Sequence, residues 1–293
     1  VNLISWAISE FSPEELSGML ASTSVCFDLS VFEIFTPLAA GGTIILADGP
    51  VSLPCASAQQ QIRLFNTGPA ALAELIAVNE LPASASVICL AGEVLTSRVA
   101  DQILACPTVK RLYNLYGPTE ATVYSTGTLV QRERDGEPHI GAPLANTRVY
   151  ILDANMQPMP IGIPGQVYIG GHGLARGYWN KPEATHEAFI PDTFSDRDGD
   201  RLYRTGDMAC WLPDGNLQFL GRTDHQVKIR GFRIEPGEIE RALLRHDAVD
   251  EPLVLATKNA DGTPRLVAYI ASSRSETLGA DEMRTHLAVR LPD

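Results

Sequence analysis

A short polar stretch, residues 114–120, carries side chains that together suit a nucleoside triphosphate. It reads Asn-Leu-Tyr-Gly-Pro-Thr-Glu and follows the run Arg111-Leu112-Tyr113, which predicts the end of a strand. An amide can recognise a base edge and an aromatic ring can stack on it, while a hydroxyl can contact a phosphate and a carboxylate can hold magnesium. The same residues also fit a polar turn between a strand and a helix, so their surroundings must decide.

Alternating strand and helix patterns surround this stretch. Capping boxes at residues 12–15 and 30–33 predict two helices, and the second is expected to stop at Gly41-Gly42. Further helices are predicted from Pro69 and after Thr96, and strands at residues 24–27, 43–47 and 87–91. This alternation over about a hundred residues predicts a mostly parallel sheet covered by helices.

The carboxyl ends of the predicted strands carry the most informative residues. Ligands of open α/β sheets bind outside these ends. Phe27-Asp28, Ala91-Gly92 and residues 114–116 each end a predicted strand. If those strands are neighbours, the three ends line one pocket.

The pattern changes twice toward the end of the chain. After Thr126, short alternating segments with a hairpin signal at Asp214-Gly215 predict a small barrel or sandwich. From Asp224, a new mixture of strands and helices predicts a small α+β domain. The expected fold class is therefore α/β. Residues 1–223 are expected to be a partial large domain, a mostly parallel sheet with helices plus a small β-barrel-like part, and residues 224–293 a partial, mobile α+β C-terminal domain.

Composition excludes several classes of protein. The net charge of −12 argues against a nucleic-acid backbone or an anionic membrane as the main partner. The five cysteines are scattered without a C-x-x-C pair, which predicts reduced thiols in a cytoplasmic protein. The glycines of residues 170–177 lie one position out of step with the dinucleotide fingerprint, and the Walker pattern G-x-x-x-x-G-K-[ST] is absent from the sequence.

Five signatures in a fixed order connect these features to a known family. They are Phe27-Asp28-Leu29-Ser30, residues 114–120, residues 165–178, Tyr203-Arg204-Thr205-Gly206-Asp207 and residues 221–240. Together they closely resemble the adenylation domains of nonribosomal peptide synthetases, within the wider family of acyl- and aryl-CoA ligases and luciferases. The resemblance covers nearly all of the chain. It implies that ATP and an amino acid form aminoacyl-AMP and pyrophosphate, and that the acyl group then passes to the phosphopantetheine thiol of a carrier domain.

The resemblance also implies roles in ATP binding. Tyr116 is expected to stack on adenine, a contact worth roughly 1–3 kcal/mol, and Asn114 to hydrogen-bond the adenine edge. Thr119 is expected to contact the α-phosphate and Glu120 to hold Mg²⁺, which makes these two the catalytic candidates. The other cofactor-binding candidates are Gly92, Asp207 on the ribose hydroxyls, Arg222 on ribose or phosphate, and Lys228. Asp207 could instead be a turn carboxylate, and Arg222 part of a surface ion pair.

A second set of residues is expected to bind the amino acid. By the family's pattern, Asp28 binds the α-ammonium group through a charge-assisted hydrogen bond worth about 1.5–3 kcal/mol, although a helix dipole also favours a carboxylate there. The pocket is expected to be lined by Asp28, Leu29, Phe32, Gly68, Cys89, Ala91, Leu115, Val123 and Tyr124. Beyond Asp28 none is charged, which predicts a small, neutral substrate such as alanine. Ordinary core packing is the alternative for the apolar members, and Gly68 could instead make room for a larger side chain.

The resemblance further implies motion and partners. Asp224 is expected to be the hinge about which the C-terminal subdomain moves between the two half-reactions. Residues 228–233 are expected to meet the pantetheine arm of a peptidyl carrier domain, unless they form a basic strand on a solvated face. A neighbouring condensation domain is another expected partner, and dependence on a small MbtH-like protein stays open. The family's phosphate loop is expected before Val1 and its catalytic lysine after Leu291-Pro292, so the chain is expected to be truncated at both ends.

Two other functions stay open at the level of sequence. One is an acyl- or aryl-CoA ligase, whose substrate has no ammonium group for Asp28 to bind. The other is a non-catalytic module that binds a nucleotide or a protein partner.

Overall fold

The structure, a computed structural model, describes residues 1–49, 51–134, 136–224, 226–229, 232–258, 264–273 and 279–291. It divides the chain into two compact units, Val1–Thr223 and Asp224–Asp293. Within the described ranges, no helix is both long and apolar enough to cross a bilayer.

A seven-stranded sheet forms the centre of the first unit. Its strands are β1 (Gly18–Ala21), β2 (Thr43–Leu46), β3 (Leu64–Thr67), β4 (Val87–Leu90), β5 (Arg111–Tyr116), β6 (Thr126–Leu129) and β7 (Ala142–Pro143). The spatial order is β2-β1-β3-β4-β5-β6-β7, in which the first five strands pair in parallel, and β6 pairs antiparallel with both β5 and β7. The mostly parallel sheet expected from the sequence is confirmed.

Helices precede and connect the parallel strands, and they cover both faces of this sheet. They are α1 (Asn2–Glu10), α2 (Leu29–Ala40), α3 (Ala56–Gln59), α4 (Pro69–Ala77) and α5 (Ser97–Leu104). Leu20 and Ile88 pack in one core with α4 and α5. Their chain neighbours Met19 and Cys89 pack in a second core with α1 and α2. Because both of their faces are buried, β1 and β4 consist of continuous apolar residues rather than alternating ones.

An antiparallel five-stranded sheet follows within the first unit. It consists of β8 (Thr147–Leu152), β9 (Gly165–Gly171), β10 (Phe189–Pro191), β11 (Arg201–Trp211) and β12 (Leu217–Arg222), with α6 (Pro182–Ala188) before β10. Strand β11 pairs with β9, β10 and β12, and the chain turns at Asp214-Gly215 between β11 and β12. The hairpin expected from Asp214-Gly215 is therefore present.

The segment before β1 differs from its prediction. The capping box forms, because the Ser12 N–H donates to the Glu15 carboxylate at 2.8 Å and the Glu15 N–H donates to Ser12 Oγ at 3.2 Å. The chain then turns and enters β1 instead of continuing as a helix. Gly18 gives the physical reason, since a Cβ at this position would lie 1.9 Å from the Gln61 carbonyl oxygen. Only glycine permits this close approach of two backbones, which leads the chain into the sheet beside β3.

The predicted strand at residues 24–27 is also wrong. These residues form a turn in which Val25 is 80% exposed, and strand β3, which the sequence pattern did not reveal, takes the place in the sheet beside β1. Asp28 is the N-cap residue of α2 rather than the end of a strand. The second capping box does not form, because the Glu33 carboxylate binds backbone N–H groups that precede the helix. Helix α2 ends as predicted, at the left-handed Gly41 with φ of 75°.

In the described residues of the second unit there are two antiparallel strand pairs and two helices. Its elements are β13 (Val227–Ile229), β14 (Phe232–Ile234), α7 (Pro236–Leu243), β15 (Glu251–Lys258), β16 (Pro264–Ala271) and α8 (Ala280–Ala288). Its small core is formed by Leu243, Val249, Val254 and Met283. The unit thus has α+β composition.

Candidate nucleotide and substrate site

Two of the three predicted strand ends lie side by side at the carboxyl edge of the large sheet. Strands β4 and β5 pair in parallel, so Gly92 and Gly117 follow neighbouring strands. Strand β3 pairs with β4 on its other side and is followed by Gly68. The third predicted end, at Asp28, lies at the start of α2, and β3 separates β1 from β4. Three turns that contain glycine, at Gly68, Gly92 and Gly117, therefore lie at this edge. Asp28 lies at the start of a helix rather than at the end of a strand.

A hydrogen-bonded cluster joins the two sheets of the first unit next to this edge. The Tyr116 hydroxyl, at the end of β5, donates to Asp207 Oδ2 at 2.5 Å. Arg222 Nη1 donates to Asp207 Oδ1 at 2.5 Å, and Arg222 Nη2 donates to the Thr205 carbonyl oxygen at 3.0 Å. Desolvation, and next the charge of Asp207, raises the pKa of Tyr116 well above its ordinary value, so the phenol stays a donor. Three of the predicted ATP-binding residues therefore meet in one cluster.

Asn114 and Gly117 fix the backbone on either side of Tyr116. Asn114 is 4% exposed, and its amide nitrogen donates to the His139 carbonyl oxygen at 2.9 Å. That contact uses one amide N–H group and holds the amide plane in one orientation. A Cβ at Gly117 would lie 2.5 Å from the Val123 carbonyl oxygen, so the turn that follows β5 requires glycine.

Glu120 lies in a short 3₁₀ helix, Thr119–Ala121, directly after this turn. Its carboxylate is buried, and Oε1 accepts a hydrogen bond from the Tyr178 hydroxyl at 2.6 Å. Its backbone carbonyl accepts a hydrogen bond from the Ala175 N–H at 2.8 Å. Desolvation, and next the hydrogen bond to Glu120, raises the pKa of Tyr178, which keeps this phenol a donor as well. Thr119, the predicted phosphate ligand, is exposed beside the buried carboxylate.

The donor set at Glu120 fits a magnesium ion that takes most of its ligands from a nucleotide. Among the described residues, no group of three or more His, Cys, Asp or Glu side chains is placed to hold a metal. Magnesium is usually bound by one or two carboxylates together with substrate phosphates and water. One buried carboxylate next to an exposed predicted phosphate ligand agrees with that mode of binding.

The backbone after Glu120 is strained. Thr122 and Val123 have φ angles of 60° and 68°, values that β-branched residues rarely adopt. Each such residue costs on the order of 1–3 kcal/mol and persists only where its surroundings enforce it. Here Thr122 Oγ1 donates to the Gly173 carbonyl oxygen at 2.5 Å, and Val123 and Tyr124 are buried in the hydrophobic core below the turn. The strained backbone therefore lies where the chain places Val123 and Tyr124, two predicted pocket residues, in the core.

Most of the predicted substrate-binding residues pack together on one face of the large sheet. Six of them are 0–4% exposed and belong to one hydrophobic cluster: Phe32, Cys89, Ala91, Leu115, Val123 and Tyr124. Leu29 packs against the same cluster. The rings of Phe32 and Tyr124 meet edge to face, with centroids 5.2 Å apart.

Gly68 and Asp28 complete the predicted set. A Cβ at Gly68 would meet only the Ala91 carbonyl oxygen at 3.8 Å and Glu93 Oε2 at 4.0 Å, so there is space for a methyl group at this position. Asp28 is half-buried and makes no side-chain capping hydrogen bond to α2. The positive end of the helix dipole nevertheless favours its negative charge.

The sequence pattern missed a buried polar network that adjoins this cluster. Glu33 is 0% exposed and accepts hydrogen bonds from the N–H groups of Ser22 and Thr23, both at 3.0 Å. It also accepts from Thr23 Oγ1 at 2.6 Å and from the Asn66 amide nitrogen at 3.0 Å. Asn66 Oδ1 in turn accepts from the Tyr124 hydroxyl at 2.6 Å. The one signal in the sequence was a glutamate on the apolar side of a helix, which the capping-box interpretation obscured.

Two predicted functional residues belong to the second unit. Asp224 is its first residue, and its Oδ1 accepts a hydrogen bond from the Gln226 N–H at 3.2 Å. Lys228 lies on β13, but its side chain lies outside the described part of the structure, as do the side chains of residues 229–233. The hinge role of Asp224 and the ligand role of Lys228 stay predictions.

An open α/β sheet with polar side chains gathered at its carboxyl edge is typical of enzymes that bind nucleotides. Residues 2–179 match the family described as AMP-binding enzyme, and the chain belongs to this family.

Similar curated relatives include large synthetases. The chain is 48% identical over 292 residues to a component of the linear gramicidin synthase of Brevibacillus parabrevis, a match that covers 100% of this chain and 6% of that protein. It is 46% identical to AMB antimetabolite synthetase AmbB of Pseudomonas aeruginosa, over 98% of this chain and 23% of that protein. The chain therefore spans less than a quarter of the length of either relative.

Solved structures confirm the fold. The adenylation domain AlmE of Vibrio cholerae, in complex with glycyl-adenosine-5′-phosphate, superposes with a TM-score of 0.85 at 25% identity, over 98% of this chain and 56% of that chain. Together with the two synthetases, this match confirms the resemblance to nonribosomal peptide synthetase adenylation domains.

Proposed function

We propose that this chain forms the ATP- and amino acid-binding part of an adenylation domain. In a complete domain it takes part in forming aminoacyl-AMP from ATP and an amino acid, and in loading the acyl group onto the phosphopantetheine thiol of a carrier domain. The chain covers 6% and 23% of the two synthetases, so the activity of any whole synthetase is part of the proposal.

The observation that carries the proposal is the cluster of Tyr116, Asp207 and Arg222. Two separate sheets bring an aromatic ring, a carboxylate and a guanidinium to one point beside the carboxyl edge. The ring can stack on adenine, and the carboxylate can accept the ribose hydroxyls, as the family resemblance implies. Arg222 holds the Asp207 carboxylate in one orientation, which prepares it for a ligand before the ligand arrives.

Glu120 and Thr119 supply the chain's contribution at the phosphates. Magnesium, when bound, neutralises charge that develops on phosphoryl oxygens. Glu120 would hold the ion, with its carboxylate oriented by the Tyr178 hydroxyl, and Thr119 would contact the α-phosphate. Gly92, whose φ is 87°, forms the turn after β4 and would let the chain approach the nucleotide closely.

The substrate proposed for the pocket is a small, neutral amino acid. Asp28 would bind its α-ammonium group, since the carboxylate is half-buried and is not used to cap α2. The apolar pocket residues already pack against one another, so a side chain bound among them has to be small. A charged side chain there would lack a counter-charge and would cost several kcal/mol.

The proposed partners follow from the family. A peptidyl carrier domain would receive the acyl group, Asp224 would act as the hinge, and the segment around Lys228 would meet the pantetheine arm. A neighbouring condensation domain and a small MbtH-like protein belong to the same proposal. The cysteines among the described residues are all free, which supports work in a reducing compartment such as the cytoplasm.

One experiment tests the proposal directly. A complete adenylation domain that includes this chain is assayed for exchange of labelled pyrophosphate into ATP across a panel of amino acids. We expect exchange that depends on a small, neutral amino acid and falls in the Asp28→Ala variant. Exchange without any amino acid would contradict the proposal.

The same assay separates the two other functions. Exchange supported by acyl or aryl acids, and unchanged in Asp28→Ala, identifies a CoA ligase. Binding of AMP without exchange for any acid identifies a non-catalytic nucleotide-binding module.

A further inference from the structure

Glu33 is a buried carboxylate that the proposed reaction does not use. It is 0% exposed, and its partners are the Ser22 and Thr23 N–H groups, the Thr23 hydroxyl and the Asn66 amide. Among the described residues it has no ion-pair partner. A carboxylate so deeply buried is uncommon, because its desolvation must be balanced by hydrogen bonds.

The hydrogen bonds of Glu33 define which of its atoms act as acceptors. Two backbone N–H groups and an amide NH₂ group can only donate, so the carboxyl oxygens must accept from them. Desolvation raises the pKa of Glu33 above its ordinary value, and the hydrogen bonds from Thr23, Asn66 and Ser22 offset only part of that rise. The geometry is that of a carboxylate surrounded by donors.

The orientation of every group in the network follows from this carboxylate. Because the Asn66 amide nitrogen faces Glu33, its Oδ1 faces Tyr124 and accepts the phenolic hydrogen at 2.6 Å. The Tyr124 ring then packs edge to face on Phe32. Glu33 therefore determines that the hydroxyl of Tyr124, a predicted pocket residue, donates a hydrogen bond to Asn66 rather than accepting one.

Glu33 also anchors the segment that leads to Asp28. Its contacts to Ser22 and Thr23 hold the chain just after β1, and Asp28 follows within the same loop at the start of α2. Burial is the main cause that raises the pKa of the Tyr124 hydroxyl well above its ordinary value, and both carboxyl groups add to that rise. One buried carboxyl group thus supports two sides of the substrate pocket.

We propose that Glu33 is a positioning residue for the amino acid: through Asn66 it orients Tyr124, and through Thr23 it places Asp28, so that it sets affinity for the amino acid and not for the nucleotide. This inference rests on the proposed function.

The Glu33→Gln variant tests the orientation of the network. The two backbone N–H groups cannot reverse, so the glutamine NH₂ must face Thr23 Oγ1 and Asn66. The hydroxyl can rotate to accept, but Asn66 must flip its amide, which turns its NH₂ group toward Tyr124. The tyrosine must then accept instead of donate, and its own hydrogen loses its partner.

The measurement is the pyrophosphate exchange reaction of a complete adenylation domain that includes this chain. In Glu33→Gln we expect KM for the amino acid to rise about tenfold, while KM for ATP changes by less than about twofold. In a Tyr124→Phe background, which has no hydroxyl to misorient, Glu33→Gln should raise KM for the amino acid by less than about threefold. A merely structural role would give additive effects and would change both KM values alike.

Matched variants keep the test decisive. Thr36→Val changes another fully buried polar residue of the same helix and should leave both KM values unchanged. If Glu33→Gln does not fold, Asn66→Ser breaks the link between Glu33 and Tyr124 and should raise KM for the amino acid alone. Exchange in the parent protein with unchanged KM values in these variants overturns this inference and leaves the proposed function standing. Absence of amino acid-dependent exchange in the parent overturns both.

Discussion

Strand β5 has a cluster of arginine, carboxylate and tyrosine at each of its ends. At its start, Arg111 pairs with Glu10 and Glu15 at 2.9 Å each and also contacts the Tyr113 hydroxyl, which donates to Glu10 at 2.5 Å. We call this the amino-end cluster. At the other end, Tyr116, Asp207 and Arg222 form the carboxyl-end cluster. The two contain the same types of groups.

The amino-end cluster is structural. It ties α1 and the turn at residues 12–15 to the first residues of β5. The Arg111 guanidinium also lies over the rings of Phe11 and Tyr113, at 5.7 and 5.0 Å from their centroids. Its acidic side chains are partly exposed, 35% for Glu10 and 18% for Glu15.

The carboxyl-end cluster joins two different sheets. It links β5 of the large sheet to β11 and β12 of the antiparallel sheet, and its carboxylate is only 8% exposed. It lies at the end of the strand where α/β proteins bind ligands. The comparison teaches that residue types alone do not distinguish a binding cluster from a structural one. What distinguishes the two clusters is the end of the strand at which each lies.

The Asp207→Asn variant should have the largest effect. It leaves the mostly buried Arg222 without its counter-charge, which should cost about 3 kcal/mol of unfolding free energy. It also removes the proposed acceptor for the ribose hydroxyls, so AMP affinity should fall at least about tenfold. Urea unfolding and calorimetric titration with AMP measure the two effects.

Asp192→Asn is the matched control for Asp207→Asn. Asp192 is also buried and pairs with Arg148 at 2.9 Å near the antiparallel sheet. Its loss should lower stability without changing AMP affinity. If the Asp207→Asn protein bound AMP as tightly as the parent, the carboxyl-end cluster would have a structural role only.

The Arg111→Met variant tests whether the amino-end cluster contributes to stability alone. It removes the guanidinium from Glu10 and Glu15 but keeps an apolar chain against Phe11. Because these contacts are partly exposed, the expected cost is about 1–2 kcal/mol of unfolding free energy. AMP affinity should not change, and a loss of affinity with the fold intact would show that the two ends of β5 are coupled.

The pair Tyr116→Phe and Tyr113→Phe isolates one hydroxyl in each cluster. Each change removes a hydrogen bond worth about 1 kcal/mol and keeps the ring. Tyr116→Phe should weaken AMP binding by about fivefold or less, since stacking is retained, whereas Tyr113→Phe should lower stability alone. Equal affinities for AMP in the two variants would mean that Tyr116 contributes to AMP binding through its ring alone.

Local patterns predicted much of the fold. Strand β4, helix α5 with its Thr96 cap and the hairpin at Asp214-Gly215 follow from apolar runs and turn residues that act over a few positions. The same reasoning was wrong at residues 24–27, because β3 and not that segment fits beside β1. The capping box at residues 12–15 formed its hydrogen bonds, but pairing of Gly18–Ala21 in the sheet overrode the helix.

The candidate site could be predicted only in part. Position at a strand end singled out residues 114–120, and the family resemblance supplied Asp207 and Arg222. No local pattern shows that Tyr116 and Asp207, 91 residues apart, share a hydrogen bond. Glu33 shows the same limit, since its partner Asn66 lies on a strand that the sequence pattern did not reveal. Contacts between elements depend on the packing of whole sheets.

The response of the amino-end cluster to acid is the smallest predicted effect. Desolvation tends to raise the pKa of Glu15, but hydrogen bonds from Ser12 and Arg111 outweigh it and lower that pKa in the folded protein. The unfolded chain therefore holds this proton more tightly. The stabilisation is fully present above the ordinary glutamate pKa of about 4.3 and is lost as the pH falls through the lower pKa of the folded state.

Glu15→Gln tests this linkage, because glutamine cannot titrate. The parent should have the higher urea midpoint at pH 6, and the gap between the two proteins should close as the pH is lowered through and below about 4.3. Glu14→Gln, a change in the same turn at a residue outside the ion pairs with Arg111, is the control and should track the parent at every pH. A gap that stays constant with pH would mean that Glu15 acts through the shape of the turn, and the amino-end cluster would then owe its stability to packing on Phe11 rather than to charge.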